Sequence, residues 1–236
     1  MQSAREIAVA STTINVDRGS AQALKAHTAW MANQDTKERL QTMGTIVHIA
    51  EGREIFAQGE ASDTFYKVVS GVVRLCKFLS DGRRQIEAFH VAGDVFGFET
   101  GSERALSAEA VNDCTLISYR RRNVEQLANS DETVSRQLLQ FALRNLAQAQ
   151  DHSLLLGRRG AAEKVASFIL GWAERCPGEG VVYLAMARQD IADYLGLTIE
   201  TVSRSLSQFE RDGVIALPAL RQLKVLDTDA LEDLAA

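Results

Sequence analysis

The spacing of apolar and polar positions changes twice along the chain, near residues 44 and 121. Between these points, short β-prone segments such as Thr45–Ile49, Thr64–Ser70 and 72–79 are separated by glycines. Ser80-Asp81-Gly82 is typical of a hairpin turn and is followed by another β-prone segment, 85–90. Short strands with frequent turns predict a small sandwich or jelly roll. The glycines recur at positions 44, 52, 59, 71, 82, 93, 97 and 101.

After residue 121 the apolar spacing becomes helical. Residues 122–156 contain no proline or glycine, which allows roughly 50 Å of helix, and the polar residues around Asp131 predict a break. Leu138 and Phe141 form one apolar face, suited to packing on the β domain. A second face has heptad spacing and favours a homodimer. The alternative is a single helix lying on its own core. The heptad positions are Leu139, Ala142, Leu146, Ala149 and Ser153.

The C-terminal part of the chain predicts a winged helix-turn-helix. A helix over 163–173 and a strand over 181–186 precede two short helices within 188–213. Gly196 can adopt the left-handed conformation that a tight turn between helices requires. Thr198 is a favourable N-cap for the second helix, and segments 214–217 and 223–226 predict a hairpin wing.

The polar face of that second helix carries groups that read DNA bases. Arg204 can pair with guanine O6 and N7, Glu200 can accept from cytosine N4, and Ser203 can add a further contact. The alternative is that Glu200 and Arg204 form only an i,i+4 ion pair, worth a few tenths of a kcal/mol. The complete set of predicted DNA-contacting residues is Arg188, Thr198, Glu200, Thr201, Ser203 and Arg204.

Composition and charge narrow the class of protein. A length of 236 residues favours more than one domain. The net charge of −5 argues against binding to nucleic acid. This negative charge lies outside residues 157–226, which carry nine basic and eight acidic side chains. No run of apolar residues is long enough for a membrane span, and the N-terminus lacks a signal-peptide pattern. We therefore expect a cytoplasmic protein with no membrane partner.

The residues that usually carry catalysis or bind metals are scattered. The three cysteines form no C-x-x-C pair, the four histidines are dispersed, and no P-loop or dinucleotide fingerprint is present. We expect neither an enzyme nor a metal site. Cys176, which precedes Pro177-Gly178 in a predicted turn, is the candidate for a redox-sensitive thiol.

The segment from Asp190 to Leu206, Asp-Ile-Ala-Asp-Tyr-Leu-Gly-Leu-Thr-Ile-Glu-Thr-Val-Ser-Arg-Ser-Leu, closely resembles the helix-turn-helix signature of the CRP/FNR regulators. Its Glu-x-x-Ser-Arg pattern resembles the FNR and FixK branch of that family. Residues 93–98, Gly-Asp-Val-Phe-Gly-Phe, are similar to the family's β-roll, and 154–170 to its domain junction. The resemblance covers most of residues 40–226.

The resemblance implies an α+β fold and a division of the chain. Residues 1–20 show no sustained apolar period, which predicts a flexible arm. The arm would precede a double-stranded β-helix, or jelly-roll, domain like those that bind cyclic nucleotides (21–121), a dimerisation helix (122–156) and a winged helix-turn-helix domain (157–236). It implies a homodimer that binds double-stranded DNA at a palindrome with TTGAT-type half-sites, with Glu200, Ser203 and Arg204 as base readers. It further implies contact with RNA polymerase and activation of genes for low-oxygen respiration, nitrogen fixation or denitrification.

The sequence departs from the resembled family in two places. FNR ligates an iron–sulfur cluster through N-terminal cysteines, and residues 1–40 contain none. CRP holds the phosphate of its cyclic nucleotide with an Arg-Ser or Arg-Thr pair, whereas Ala105 follows Arg104 here. We therefore expect no cofactor and no small-molecule effector; the alternative is a cyclic-nucleotide-gated, CRP-like regulator. A helix-turn-helix that has become a protein-contact module is disfavoured because Glu200 and Arg204 are both present.

Overall fold

The computed structural model describes residues 43–158, 160–176 and 180–236. The arm expected over 1–20 lies outside these residues, as does the part of the expected jelly-roll domain that precedes Met43. Within the described ranges, no helix has the length and apolar content needed to cross a membrane.

Eight antiparallel strands form two four-stranded sheets, the jelly roll expected from the sequence. One sheet has the strand order β1-β8-β3-β6 and the other β2-β7-β4-β5. Two strands have the bounds expected from the sequence, whereas β2, β6, β7 and β8 were not singled out. The strands are β1 (Thr45–Ile49), β2 (Glu54–Phe56), β3 (Thr64–Ser70), β4 (Val73–Phe78), β5 (Arg84–His90), β6 (Val95–Phe96), β7 (Ser107–Ala110) and β8 (Cys114–Arg120).

The core of the jelly roll comes from alternate residues of these strands. Val68 of β3 and Leu116 of β8 are fully buried, and Phe96 of β6 lies beside them. The turn between β4 and β5 is the one predicted, since Gly82 has φ +83° and the amide of Leu79 donates to the carbonyl of Arg83 at 2.8 Å. Strands β4 and β5 therefore pair as an antiparallel hairpin, with an irregularity in the register between Leu75 and Cys76.

Two helices follow the roll, α1 (Arg121–Ser130) and α2 (Glu132–Gly157). The break lies at the predicted position because the Asp131 carboxylate caps α2, accepting from the amides of Thr133 at 2.9 Å and Val134 at 3.4 Å. Phe141 is buried, as expected for the face of α2 that packs on the β domain, while the opposite face is exposed.

The C-terminal module contains four helices and a three-stranded sheet of order β10-β11-β9. The strand expected over 181–186 is shorter, because the consecutive burial of Leu184, Ala185 and Met186 is incompatible with a strand exposed on one face. Helix α6, capped by Asp227, was not predicted. The elements are α3 (Ala161–Arg175), β9 (Val182–Tyr183), α4 (Arg188–Leu195), α5 (Ile199–Arg211), β10 (Ile215–Ala219), β11 (Gln222–Val225) and α6 (Thr228–Ala235).

The jelly roll and the C-terminal module pack into one compact unit spanning residues 42–236. Phe89 of β5 lies at the centre of the contact, with its ring centroid 6.0 Å from that of Trp172 in α3 and 5.3 Å from that of Tyr194 in α4. Clustered aromatic rings bury large apolar areas, so this contact fixes the position of the helix-turn-helix on the roll.

Candidate nucleic-acid interface

Helices α4 and α5 form the predicted helix-turn-helix. Gly196 ends α4 in the left-handed conformation, with φ +63°, and the amide of Leu197 donates to the carbonyl of Ala192 at 2.9 Å. The Thr198 hydroxyl then caps α5, accepting from the amide of Thr201 at 3.3 Å. The turn depends on one residue type at one position, because side chains other than glycine are strained at this φ.

We expect Gly196→Ala to destabilise the protein by about 1–2 kcal/mol, because the Cβ of alanine clashes with the backbone in the left-handed conformation. Gly171, inside α3 with no atom within 4 Å of an added Cβ, is the matched control. Gly171→Ala should stabilise the protein by about 0.5–1 kcal/mol. Urea denaturation of both variants measures the two free energies of unfolding, and a shift of the same sign in both would contradict this account of the turn.

Helix α5 presents its candidate base readers on the side opposite its buried face. Val202, Leu206 and Phe209 are buried, which leaves Glu200 and Arg204 exposed and Ser203 half-buried. The burial of three side chains at helical spacing therefore determines which face of α5 can enter a DNA groove.

The two charged readers do not neutralise each other. Within the described residues they form no ion pair; Arg204 Nε donates instead to the Glu200 carbonyl, at 3.4 Å. Hydrogen bonds from its own backbone amide and from the Thr198 hydroxyl lower the pKa of the Glu200 carboxyl below its ordinary value. Glu200 thus stays ionised as an acceptor, and the two terminal nitrogens of the Arg204 guanidinium keep their donors available among the described contacts.

The other three predicted DNA contacts surround these readers. Thr198 caps α5 and Thr201 lies in its first turn, and their hydroxyl oxygens bond each other at 3.0 Å. Arg188 begins α4 and is half-exposed. Helix N-termini and arginines are typical partners of backbone phosphates, so this arrangement suits positioning on DNA rather than base reading.

The heptad stripe of α2 is exposed along its whole length. The exposed fraction is 59% for Leu139 and 54% for Leu146, and Ala142, Ala149 and Ser153 are exposed as well. The structure adds two apolar side chains that the heptad spacing missed, Leu143 at 54% and Leu154 at 74% exposure. Each of these two leucines follows a heptad position directly in the sequence. A search for apolar residues over a wider helix face would therefore have included them.

The jelly roll contains a cavity of about 190 Å³ between its strands and α2, lined in part by Glu87, Gly97 and Glu99. This is below the roughly 300–1,000 Å³ of typical ligand pockets. Arg104 is only 2% exposed; it donates to the carbonyls of Gly97, at 2.6 Å, and Thr64, and its guanidinium lies 4.0 Å from the centre of the Phe56 ring.

These features do not fit a cyclic nucleotide. The terminal nitrogens of the Arg104 guanidinium donate to the carbonyls of Gly97 and Thr64 instead of facing a phosphate, while its buried Nε has no hydrogen-bond partner among the described residues. The arginine in the cavity wall, Arg175, is paired with Asp94 at 2.7 Å, and two acidic side chains in the wall would repel an anion. Among the described residues, no group of three or more potential metal ligands occurs.

The three thiols are shielded to different degrees. Burial raises the pKa of the Cys76 thiol to about 11 and that of Cys114 above its ordinary value, consistent with inert core residues. Cys176 is half-buried at the end of α3, and burial raises its pKa too. A raised pKa lowers the thiolate fraction, so this environment does not favour the redox sensitivity predicted for Cys176, which stays a prediction.

Comparisons with known proteins agree with this architecture. Residues 46–131 match the model of the cyclic nucleotide-binding domain, and residues 163–234 match that of the Crp-like helix-turn-helix domain. The nitrogen fixation regulation proteins FixK of Azorhizobium caulinodans and Rhizobium meliloti are 47% and 45% identical to this chain. The matches cover 81% and 78% of this chain, and 79% and 83% of those proteins.

The structure of FixK2 from Bradyrhizobium japonicum superposes with a TM-score of 0.79 at 43% identity, covering 82% of this chain and 98% of that one. These findings confirm the predicted fold class and the resemblance, and they place the chain among transcription regulators rather than enzymes. The chain belongs to the CRP/FNR family and is a transcription regulator of the FixK type with a helix-turn-helix DNA-binding domain.

Proposed function

We propose that this protein is a transcription activator that binds, as a homodimer and without a bound effector, to a palindrome with TTGAT-type half-sites. The observation that carries the proposal is the exposed pair on α5, Glu200 and Arg204, which are not ion-paired with each other. A guanidinium suited to guanine and a carboxylate suited to cytosine, one turn apart on one helix, can read neighbouring base pairs in the major groove.

The exposed apolar stripe on α2 supports a dimer, and a dimer supports a palindromic binding site. An exposed apolar stripe of the length found on α2 is costly in a monomer and typical of a helix that pairs with a second copy. A two-fold axis along this stripe would present two copies of α5, and two recognition helices related by a two-fold axis read a palindrome.

The proposal that the protein needs no effector is based on the contacts of Arg104 within the jelly roll. Arg104 is buried against Phe56 and bonded to backbone carbonyls, so binding a phosphate there would require breaking contacts already made. The β-roll then acts as a structural support for the DNA-binding module. Activity would be set by how much protein the cell makes.

The physiological part of the proposal comes from the relatives. Two proteins similar to this chain are named as regulators of nitrogen fixation. We place the protein in the control of low-oxygen respiration, nitrogen-fixation or denitrification genes, acting through contact with RNA polymerase.

The test is a mobility-shift titration of the purified full chain on a TTGAT-type palindrome and on a scrambled duplex. Both duplexes are titrated at the same salt concentration, because the affinity of proteins for DNA depends on salt. Both titrations are repeated with cyclic AMP. We expect selective binding that cyclic AMP does not change.

Selective binding that requires cyclic AMP would contradict the effector-free proposal and favour the cyclic-nucleotide-gated alternative. Equal binding to both duplexes under both conditions would contradict the proposed site.

A further inference from the structure

A cluster of five charged side chains joins the β4–β5 hairpin to the first helix of the helix-turn-helix. We call Arg74, Arg84, Glu109, Asp190 and Asp193 the clasp. Arg84 of β5 bonds Asp190 and Asp193 of α4, the latter at 2.7 Å. Arg74 of β4 bonds Glu109 of β7 at 2.6 Å and Asp190 at 3.2 Å. All five side chains are 6–18% exposed.

The most buried member of the clasp also holds the start of α4. The second carboxylate oxygen of Asp190 accepts from the amide of Ala187, the residue before α4, at 3.1 Å. The clasp contains two arginines and three carboxylates, and the positive end of the α4 dipole stabilises the excess negative charge. Asp190 therefore ties the first turn of α4 to two strands of the roll.

Contacts beside the clasp fix α4 at its other end. His152 of α2 stacks on the Tyr194 ring with 3.9 Å between centroids, and its Nε2 donates to the Tyr194 carbonyl at 2.8 Å. Burial lowers the pKa of His152, which favours the neutral ring that packs on Tyr194. On α3, Arg175 donates to the carbonyl of Phe89 at 2.8 Å. The module is thus held by polar contacts at several points around the Phe89 ring.

We propose that Arg84 is a positioning residue: together with Arg74 it holds α4, and through the Gly196 turn α5, in one orientation on the roll. This inference rests on the proposed function, since a regulator that binds DNA without an effector needs its recognition helices oriented by its own chain. The clasp performs that task. A preorganised orientation raises affinity because binding then orders less of the protein.

Reversing the charge at position 84 should break the contact between the roll and α4. A charge-reversed side chain at this position faces two half-buried or buried carboxylates, Asp190 and Asp193, which repel it and lose their main partner. We expect Arg84→Glu to release α4 from the roll and to weaken binding to the palindrome at least about tenfold, with a tenfold or larger loss of hydrogen-exchange protection at α4 amides.

The neighbouring residue provides a matched control. The side chain of Arg83 is 78% exposed and, among the described residues, bonds only the local turn residue Asp81, at 2.7 Å. Arg83→Glu makes the same charge change one position away, and we expect it to change both readouts less than twofold. The double variant Arg84→Glu with Asp193→Lys re-forms one opposite-charge pair and should recover most of both losses.

The experiment measures hydrogen exchange of the full chain without DNA, and palindrome binding by fluorescence anisotropy, for these variants and for Arg84→Gln. The glutamine variant removes the charge with a smaller change of volume and serves if the reversal prevents folding. The proposal is overturned if α4 protection in the Arg84 variants equals that of Arg83→Glu, or if palindrome affinity is unchanged or higher. Should the unaltered protein show no selectivity for the palindrome, the proposed site fails, while hydrogen exchange still decides whether the clasp holds α4.

Discussion

Arg204→Ala is expected to reduce selectivity for the proposed TTGAT-type palindrome strongly while the protein stays folded and keeps the mass of the unaltered protein. Arg204 is exposed and bonds only its own helix backbone among the described contacts, so its removal leaves no buried partner unsatisfied. A bidentate arginine–guanine pair contributes about 1–3 kcal/mol of discrimination. With one such pair in each half-site, the ratio of specific to scrambled affinity should fall by about 30-fold or more.

The measurement is the ratio of dissociation constants for the palindrome and the scrambled duplex, at one salt concentration. Arg211→Ala is the matched control, because Arg211 lies in the last turn of the same helix and bonds Gln208 at 2.6 Å. It should alter both affinities alike and leave their ratio unchanged. A normal ratio in Arg204→Ala would contradict its assignment as a base reader.

Leu146→Glu is expected to convert the proposed homodimer to a monomer. Leu146 is 54% exposed in the protomer and lies mid-way along the heptad stripe of α2. At a two-fold interface the substitution places two carboxylates near each other, and removing each from water costs several kcal/mol. Because 1.4 kcal/mol corresponds to tenfold, the dimer dissociation constant should rise at least about 100-fold.

Sedimentation velocity across a concentration series checks this prediction. Gln140→Glu is the control: it adds the same charge to an exposed position of α2, about a third of a turn around the helix from Leu146. We expect the control to sediment as a dimer. If Leu146→Glu keeps the dimer mass as well, the stripe is not the interface, and α2 is a single helix lying on its own core.

The helix-turn-helix could be predicted from sequence because its determinants are local. Gly196 and Thr198 specify the turn and the cap within three residues, and the apolar spacing of α5 specifies which face is exposed. The break at Asp131 was predictable for the same reason. Where one residue's conformational preference decides the structure, the sequence is sufficient.

Elements that depend on distant partners were harder to predict. Strand β2 has three residues and is held by pairing with β7, where Glu54 lies opposite Glu109. Strand β6 has only two residues, too few for an alternating pattern to be visible. Helix α6 has eight residues and is stabilised by burial of Leu231 and packing on α3. Short elements such as these are defined by tertiary packing.

The residues of the candidate site also differ in how far they could be predicted from the sequence. The base readers were predictable because they lie on one helix, whereas the clasp joins Arg84 to Asp190, 106 residues apart, and no sequence pattern pairs them. Arg104 shows the same difficulty. Sequence indicates that the residue after it differs from the nucleotide-binding pattern, but only the structure shows its guanidinium bonded to backbone carbonyls.

The most direct test of this account is the mass and selectivity of the complex with DNA. Sedimentation velocity of a fluorescent TTGAT-type palindrome, titrated with the unaltered protein in the absence of any nucleotide, gives both in one experiment. We predict two protomers per duplex, with no complex on a scrambled duplex at the same concentrations. One protomer per duplex, or equal binding to both sequences, would contradict an effector-free dimer that reads a palindrome.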